Sequence, residues 1–285
     1  MNNNCYKFHK ITYNDGLLSK SVDATYIIHL EGNGRYKSIT DQIKKYHITN
    51  IIYILFNKGY KKCNKGDKVK CPPTDLLNAN IKCFEHAKMN NYNNILVLED
   101  DFFFNDKIKD SFHINNINKF LLNHKNKKII YALGAVPVIQ SPYNFYTVRI
   151  HIYSCAHALI FSSKLYNELI IDYYNNKINM VHDLYLSFKY IFNSYMYYLP
   201  LCYQLWPETE NSKYWVENSF SDSQKMTSLH KYFANLWTNN LKKFNNLIGL
   251  DKQPEPGFTI IYTNSKIISL LIFILLIYLI YRIVK

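Results

Sequence analysis

The sequence predicts an α/β fold: one domain on a mainly parallel sheet, followed by a C-terminal transmembrane helix. Three observations carry this reading. Ala24–Leu30, Ile51–Phe56 and Ile95–Leu98 are continuous apolar runs rather than alternating ones, the mark of strands buried on both faces. Helical periodicity fills the intervals between them, giving the alternation of an α/β domain. Near the end of the 285 residues, Ile267–Tyr281 is apolar or aromatic except for Ser269.

Residues 1–22 read as a polar leader and 23–250 as one domain, long enough to bury a sizeable core. The first strand stops at Glu31-Gly32-Asn33-Gly34, a turn signal. Ser38–Tyr46 sets Ile39 and Ile43 on one helical face, and Asn57–Pro73 is a Lys- and Gly-rich loop after the second strand. From Thr74, the residues Leu76, Leu77, Ile81, Phe84 and Ala87 recur at helical spacing, with Thr74 or Asp75 as N-cap. The third strand then runs into Glu99-Asp100-Asp101. A helix over 108–123, a strand over 129–133, an apolar stretch at 156–161 and helices over about 163–174 and 182–192 complete the body.

Residues 251–266, with Pro254, Pro256 and Gly257, read as a linker, and 267–284 as the membrane span. As a helix that span is about 27 Å long at 1.5 Å per residue, which suits a thin bilayer with Arg282 snorkelling. The N-terminus lacks the apolar core of a signal peptide, so the simplest topology is a C-terminal tail anchor with a cytosolic domain. Lys266 before the span and Arg282 and Lys285 after it leave the orientation open.

The formal net charge is +13, but usage of Asn, Ile, Lys and Tyr is what an A/T-rich genome produces. Scattered lysines fit a solvated surface, or attraction to an anionic nucleotide or membrane. Zinc-finger spacing and RNA-binding signatures are absent, so nucleic acid is not an expected partner. The six cysteines form no CxxC and no paired metal spacing; buried free thiols in a reducing compartment are expected.

The acidic tip carries the chemistry. In open α/β sheets ligands bind outside the carboxyl ends of strands, which is where Glu99, Asp100 and Asp101 fall. Clustered carboxylates repel one another unless a cation offsets their charge, and hard oxygen ligands suit Mg²⁺ or Mn²⁺ shared with substrate phosphates. The bland alternative is an ordinary acidic strand end.

Six segments occur in an order that resembles a known family. They are Tyr26-Ile27-Ile28-His29-Leu30 followed by Arg35; Thr74–Ala87; Ile95-Leu96-Val97-Leu98-Glu99-Asp100-Asp101; Ala156–Ser162; and Val181-His182-Asp183 with Tyr198–Gln204. The chain resembles glycosyltransferase family 25, of the lipopolysaccharide-core and collagen galactosyltransferase type, and within it the divergent giant-virus members. The likeness covers residues 24–212; Glu85 departs from the family's Ser, and 213–257 has no counterpart.

The resemblance implies a GT-A-like (Rossmann-like) domain that transfers a hexose from a UDP-sugar, UDP-galactose or UDP-glucose, with inversion. The acceptor would be a glycan, protein or lipid hydroxyl. Asp101 is then the leading metal ligand for Mn²⁺ (or Mg²⁺), with Asp100 beside it. Glu99, Asp100, Arg35 and His157 fall on the donor side, and Asp183 is the expected catalytic base. Glu208 is the alternative base, and Lys58, Lys61 and Lys62 are phosphate contacts or a solvated loop. His157 and His86 read equally as hydrogen-bonded core residues, Arg35 as a surface residue and Asp183 as a helix cap. Two other classes compete: a catalytically degenerate, tail-anchored binding or structural protein, and another metal-dependent phosphoryl-transfer enzyme.

Overall fold

The computed structural model describes residues 5–178, 182–205, 240, 243–244, 246–249 and 255–285. Seven strands form one mixed sheet in the order β1-β3-β2-β4-β7-β6-β8. Its centre is the expected trio: β2 (Ala24–Leu30) pairs in parallel with β3 (Ile51–Asn57) on one side and β4 (Asn94–Glu99) on the other. β1 (Tyr6–Thr12) closes one edge antiparallel to β3. Across β4 lie the long hairpin strands β7 (Thr147–Ser162) and β6 (Ile130–Asn144), with β8 (Ser194–Tyr197) parallel to β6. β2, β3, β4, β6 and β8 therefore run one way, and β1 and β7 run against them.

Both faces of the trio are buried because both are covered by helices. One core joins Tyr26, Ile28 and Val97 to α2 (Pro72–Met89), α4 (Ser163–Tyr174) and α5 (His182–Lys189). The opposite core joins Ile27, Ile54 and Leu98 to α1 (Tyr36–Tyr46) and α3 (Ser111–Asn123). Successive strand residues feed opposite cores, so an uninterrupted apolar run is what the layered architecture demands. α2 begins two residues before its expected cap: Cys71 is the N-cap, and Pro72 takes the first turn, where its missing N–H is not needed. A two-stranded sheet, β5 (Phe102–Phe104) with β9 (Cys202–Gln204), sits directly beyond the acidic tip.

Three expectations are corrected. The polar leader is a folded part of the domain: β1 pairs along its length with β3, and Leu18 and Val22 are buried under the sheet. Its alternating half-buried and exposed pattern is that of an edge strand, which carries little apolar signal. The linker is shorter than expected, because α6 (Gly257–Val284) begins at Gly257 and buries Phe258, Tyr262, Ser265 and Ser269. This helix is long and apolar enough to cross a membrane.

Two cysteines also depart from the expected free thiols: Cys5 and Cys63 form a disulfide, whereas Cys71, Cys83, Cys155 and Cys202 are free. Pairing Tyr6 with Asn57 sets Cys5 beside the start of the loop after β3, where the Lys58 N–H donates to the Cys5 carbonyl at 3.2 Å. That proximity is created by sheet register, not by sequence spacing. Disulfides persist in oxidising compartments, contrary to the reducing one expected from the cysteine pattern. Replacing Cys63 by Ser is expected to lower stability by about 2–4 kcal/mol, read from urea unfolding followed by circular dichroism.

Candidate functional site

Glu99 ends β4 at the carboxyl edge of the parallel trio, level with Ile28 of β2. The three consecutive carboxylates then diverge, each toward a different part of the fold.

Asp100 turns toward the loop after β2. It accepts the Leu30 N–H at 3.0 Å and the Asn33 side-chain amide, and it pairs with the Arg35 guanidinium. His29 Nδ1 stands 3.5 Å away. Burial opposes its charge, but His29, Arg35 and the Leu30 N–H outweigh that and hold its carboxyl below the ordinary range. The loop can fold back this sharply because Gly32 and Gly34 adopt left-handed φ of 85° and 79°. A side chain built on Gly32 would come within 3.5 Å of the Lys62 ammonium, so Lys62 overhangs this turn.

Asp101 turns toward β9. The Gln204 amide reaches its two oxygens at 3.2 and 3.3 Å, and Arg35 lies 3.4 Å from one of them. It is buried, and burial, only partly offset by Arg35, raises its pKa to about 7.

Glu99 faces the opposite side of the sheet, into a narrow cleft between α2 and α5. Asn80, Ala156, His182 and Asp183 share this cleft, floored by Val97, Leu159 and Phe161. Burial first, then repulsion from Asp101, Asp183 and Asp100, pushes the Glu99 carboxyl well above its ordinary range. Asp183, in the first turn of α5, is also raised by burial, and it accepts the Ala156 N–H at 3.3 Å. An irregularity in the β6–β7 pairing aims that N–H: Cys155 sits at φ 52° where the register shifts, a left-handed geometry unusual for a residue other than Gly.

The structure thus brings Glu99, Asp101 and Asp183 into one electrostatic cluster, with Arg35 bound to the tip. Arg35, a surface or diphosphate residue in the sequence reading, is committed to Asp100 and Asp101 instead. His157 does not reach the site. It is fully buried, burial lowers its pKa to about 4, and its ring nitrogens face the Cys155 and Cys202 carbonyls at 2.7 and 3.0 Å. His86 lies under Phe8 and bonds the Tyr26 hydroxyl at 2.8 Å, away from the tip. Glu85 joins Lys82 and Tyr174 on the α2–α4 surface, so its departure from the family pattern does not touch the cleft. Glu208 lies outside the described residues.

Sequence reading missed Asn33, His29, Asn80 and His182. Asn80 is the legible one, since it interrupts the apolar stripe of α2 between Leu77 and Phe84. Burial lowers the pKa of His182 to about 4, and its Nε2 has no hydrogen-bond partner among the described residues.

Whether these residues suit a divalent ion follows from the donor set. All are hard oxygens, and the raised Glu99 and Asp101 carry repulsion that a cation would offset; Mg²⁺-type sites take one or two carboxylates and complete the shell with water and phosphate. Glu99 and Asp101 therefore fit in kind. Asp100, expected as a second ligand, is already spent on Arg35, Asn33 and Leu30. Among the described residues no three His, Cys, Asp or Glu side chains group around a common ion position.

The raised carboxylates have a consequence for stability. A carboxyl whose folded pKa exceeds its unfolded one stabilises the fold at low pH and loses that contribution as pH rises through the folded value. Buried His157 and His182 act below about pH 6.5, so the informative window is pH 6.5 to 8.5. Across it, in EDTA, the melting temperature is expected to fall by a few degrees through Asp101. Mn²⁺ should restore it at pH 8.5, and Asp101→Asn should flatten the profile. Calorimetry giving the same flat profile for both proteins would remove the case for uncompensated charge at the tip.

No family model matches the chain, and no curated protein matches it. Among solved structures the chain is similar to A197 from STIV, at 10% identity and a TM-score of 0.40, over 66% of this chain and 86% of that one.

Proposed function

We propose that the protein is a metal-dependent, membrane-anchored glycosyltransferase with a GT-A-like domain. It would move a hexose from a UDP-sugar (galactose or glucose) to a glycan, protein or lipid hydroxyl with inversion. One observation carries the reading: Glu99 and Asp183 line a cleft at the carboxyl edge of three parallel strands, with Asp101 in electrostatic reach of Glu99 and Arg35 bound to the tip. When bound, Mn²⁺ or Mg²⁺ supplies the charge that stabilises a departing diphosphate. Glu99 and Asp101 would hold it, and Arg35 keeps Asp100 and Asp101 in place.

Asp183 is the base for the acceptor hydroxyl. Its raised pKa makes it a stronger proton acceptor than an exposed aspartate, and the Ala156 N–H fixes its orientation. Lys62, over the Gly32 turn, would meet the diphosphate in this reading. The apolar α6 anchors the domain to a membrane.

A second reading, a binding or structural protein on a degenerate transferase fold, draws on the full engagement of Asp100 and the hydrogen bonds from Gln204 to both oxygens of Asp101. The two separate in one assay on the full chain in detergent: UDP release from a panel of UDP-sugars with Mn²⁺. Asp101→Asn is expected to abolish turnover while shifting the melting temperature by only a few degrees, because the amide still offers Gln204 an acceptor. Asp183→Asn should lower kcat by about 10²–10⁴-fold. Absence of both turnover and Mn²⁺-dependent UDP binding in the unsubstituted chain would leave only the second reading.

A further inference from the structure

The outer end of the β6–β7 hairpin stands where α6 leaves the domain. Ser269 donates to the Gln140 carbonyl at 3.1 Å and accepts the Gln140 N–H at 2.9 Å, so this turn of α6 is bonded to β6. One and two turns earlier, Lys266 and Tyr262 both donate to the Tyr198 carbonyl, at 3.0 and 3.2 Å. The N–H of the same Tyr198 donates to the Tyr146 carbonyl at 3.0 Å. Tyr146 belongs to the hairpin turn, and a single residue therefore bridges that turn to the helix.

The turn is apolar where a soluble loop would be polar. Phe145 is 95% exposed, and Tyr143, Tyr146 and the neighbouring Phe112 and Val138 are each at least 38% exposed. The exposure of α6 fixes where this surface lies. Phe258, Tyr262, Ser265 and Ser269 are buried on the domain, whereas Ile267, Ile268, Leu270 and Leu271 are each about half exposed. The apolar span therefore begins around Ile267–Ser269, at the level of the segments bonded to it. Lys266 sits on the headgroup side of that boundary, where basic and aromatic residues gather.

We propose that the hairpin turn Tyr143–Tyr146, led by Phe145, inserts into the headgroup–acyl boundary of the bilayer that α6 crosses. This rests on the anchor reading of α6. Two contacts, one helix and one aromatic turn, would fix the tilt of the domain on the membrane rather than leave it swinging on a tether. The occupant is a lipid surface because the apolar turn is held, through hydrogen bonds at Tyr198 and Gln140, to the helix that enters lipid.

The test reconstitutes the full chain into phosphatidylcholine vesicles with and without lipid brominated at carbons 6 and 7. Phe145→Trp is compared with Met89→Trp, an exposed position at the end of α2, each after subtracting the emission of the unsubstituted chain. Co-flotation with vesicles and at least twofold stronger bromine quenching for Phe145→Trp than for Met89→Trp is the expected result. Co-flotation with equal quenching overturns the proposal and leaves the anchor standing. Failure to float overturns the anchor and the proposal with it.

Discussion

The contact between Arg35 and Asp100 organises the end of the sheet. A carboxylate and a guanidinium, both largely withdrawn from water, meet at the carboxyl edge of β2 and β4, and the Leu30 N–H and Asn33 amide satisfy what remains of the carboxylate. Removing one member of such a pair leaves an uncompensated buried charge, at a cost of order 3–5 kcal/mol. The loop between β2 and α1 is therefore locked over the tip. With Arg35 occupied there, Glu99 and Asp183 are left with little to balance them.

That imbalance separates the roles of three adjacent residues. Along a strand, neighbouring side chains leave on opposite faces, so Glu99 enters the α2–α5 side while Asp100 turns to the loop. Past the strand end the chain bends into β5, and Asp101 is carried to Gln204 of β9. Asp100 is the structural carboxylate, held ionised by its partners. Glu99 and Asp101 are the charge-sensitive ones, raised first by burial and then by neighbouring carboxylates, Asp101 and Asp183 acting on Glu99 and Asp100 on Asp101. The three consecutive carboxylates thus turn in different directions at the end of β4.

The C-terminal helix has two characters along its length. Its first turns pack Phe258 against His157 and Tyr203, and its polar contacts end at Lys266 and Ser269. Beyond them the large apolar side chains from Phe273 to Ile283 are all about half exposed or more. This outer part is long and apolar enough to cross a membrane, whereas the base of the helix is docked on the domain.

The sequence by itself determined the elements whose burial is complete. Ala24–Leu30 and Ser163–Tyr174 lie where the pattern put them, because a strand covered on both faces and an amphipathic helix each write their surroundings into local periodicity. It also located the carboxylates at a strand end. β1 and the outer halves of β6 and β7 escaped, since partly exposed strands carry mixed polar sequences that resemble loops. Tertiary structure alone decided which partners met: Cys5 with Cys63, Asp100 with Arg35, Asp183 with the Ala156 N–H, and the hairpin turn with α6 through Tyr198. Periodicity reports whether a side chain is buried, but a partner many residues away is chosen by strand register and helix packing, which no local pattern encodes.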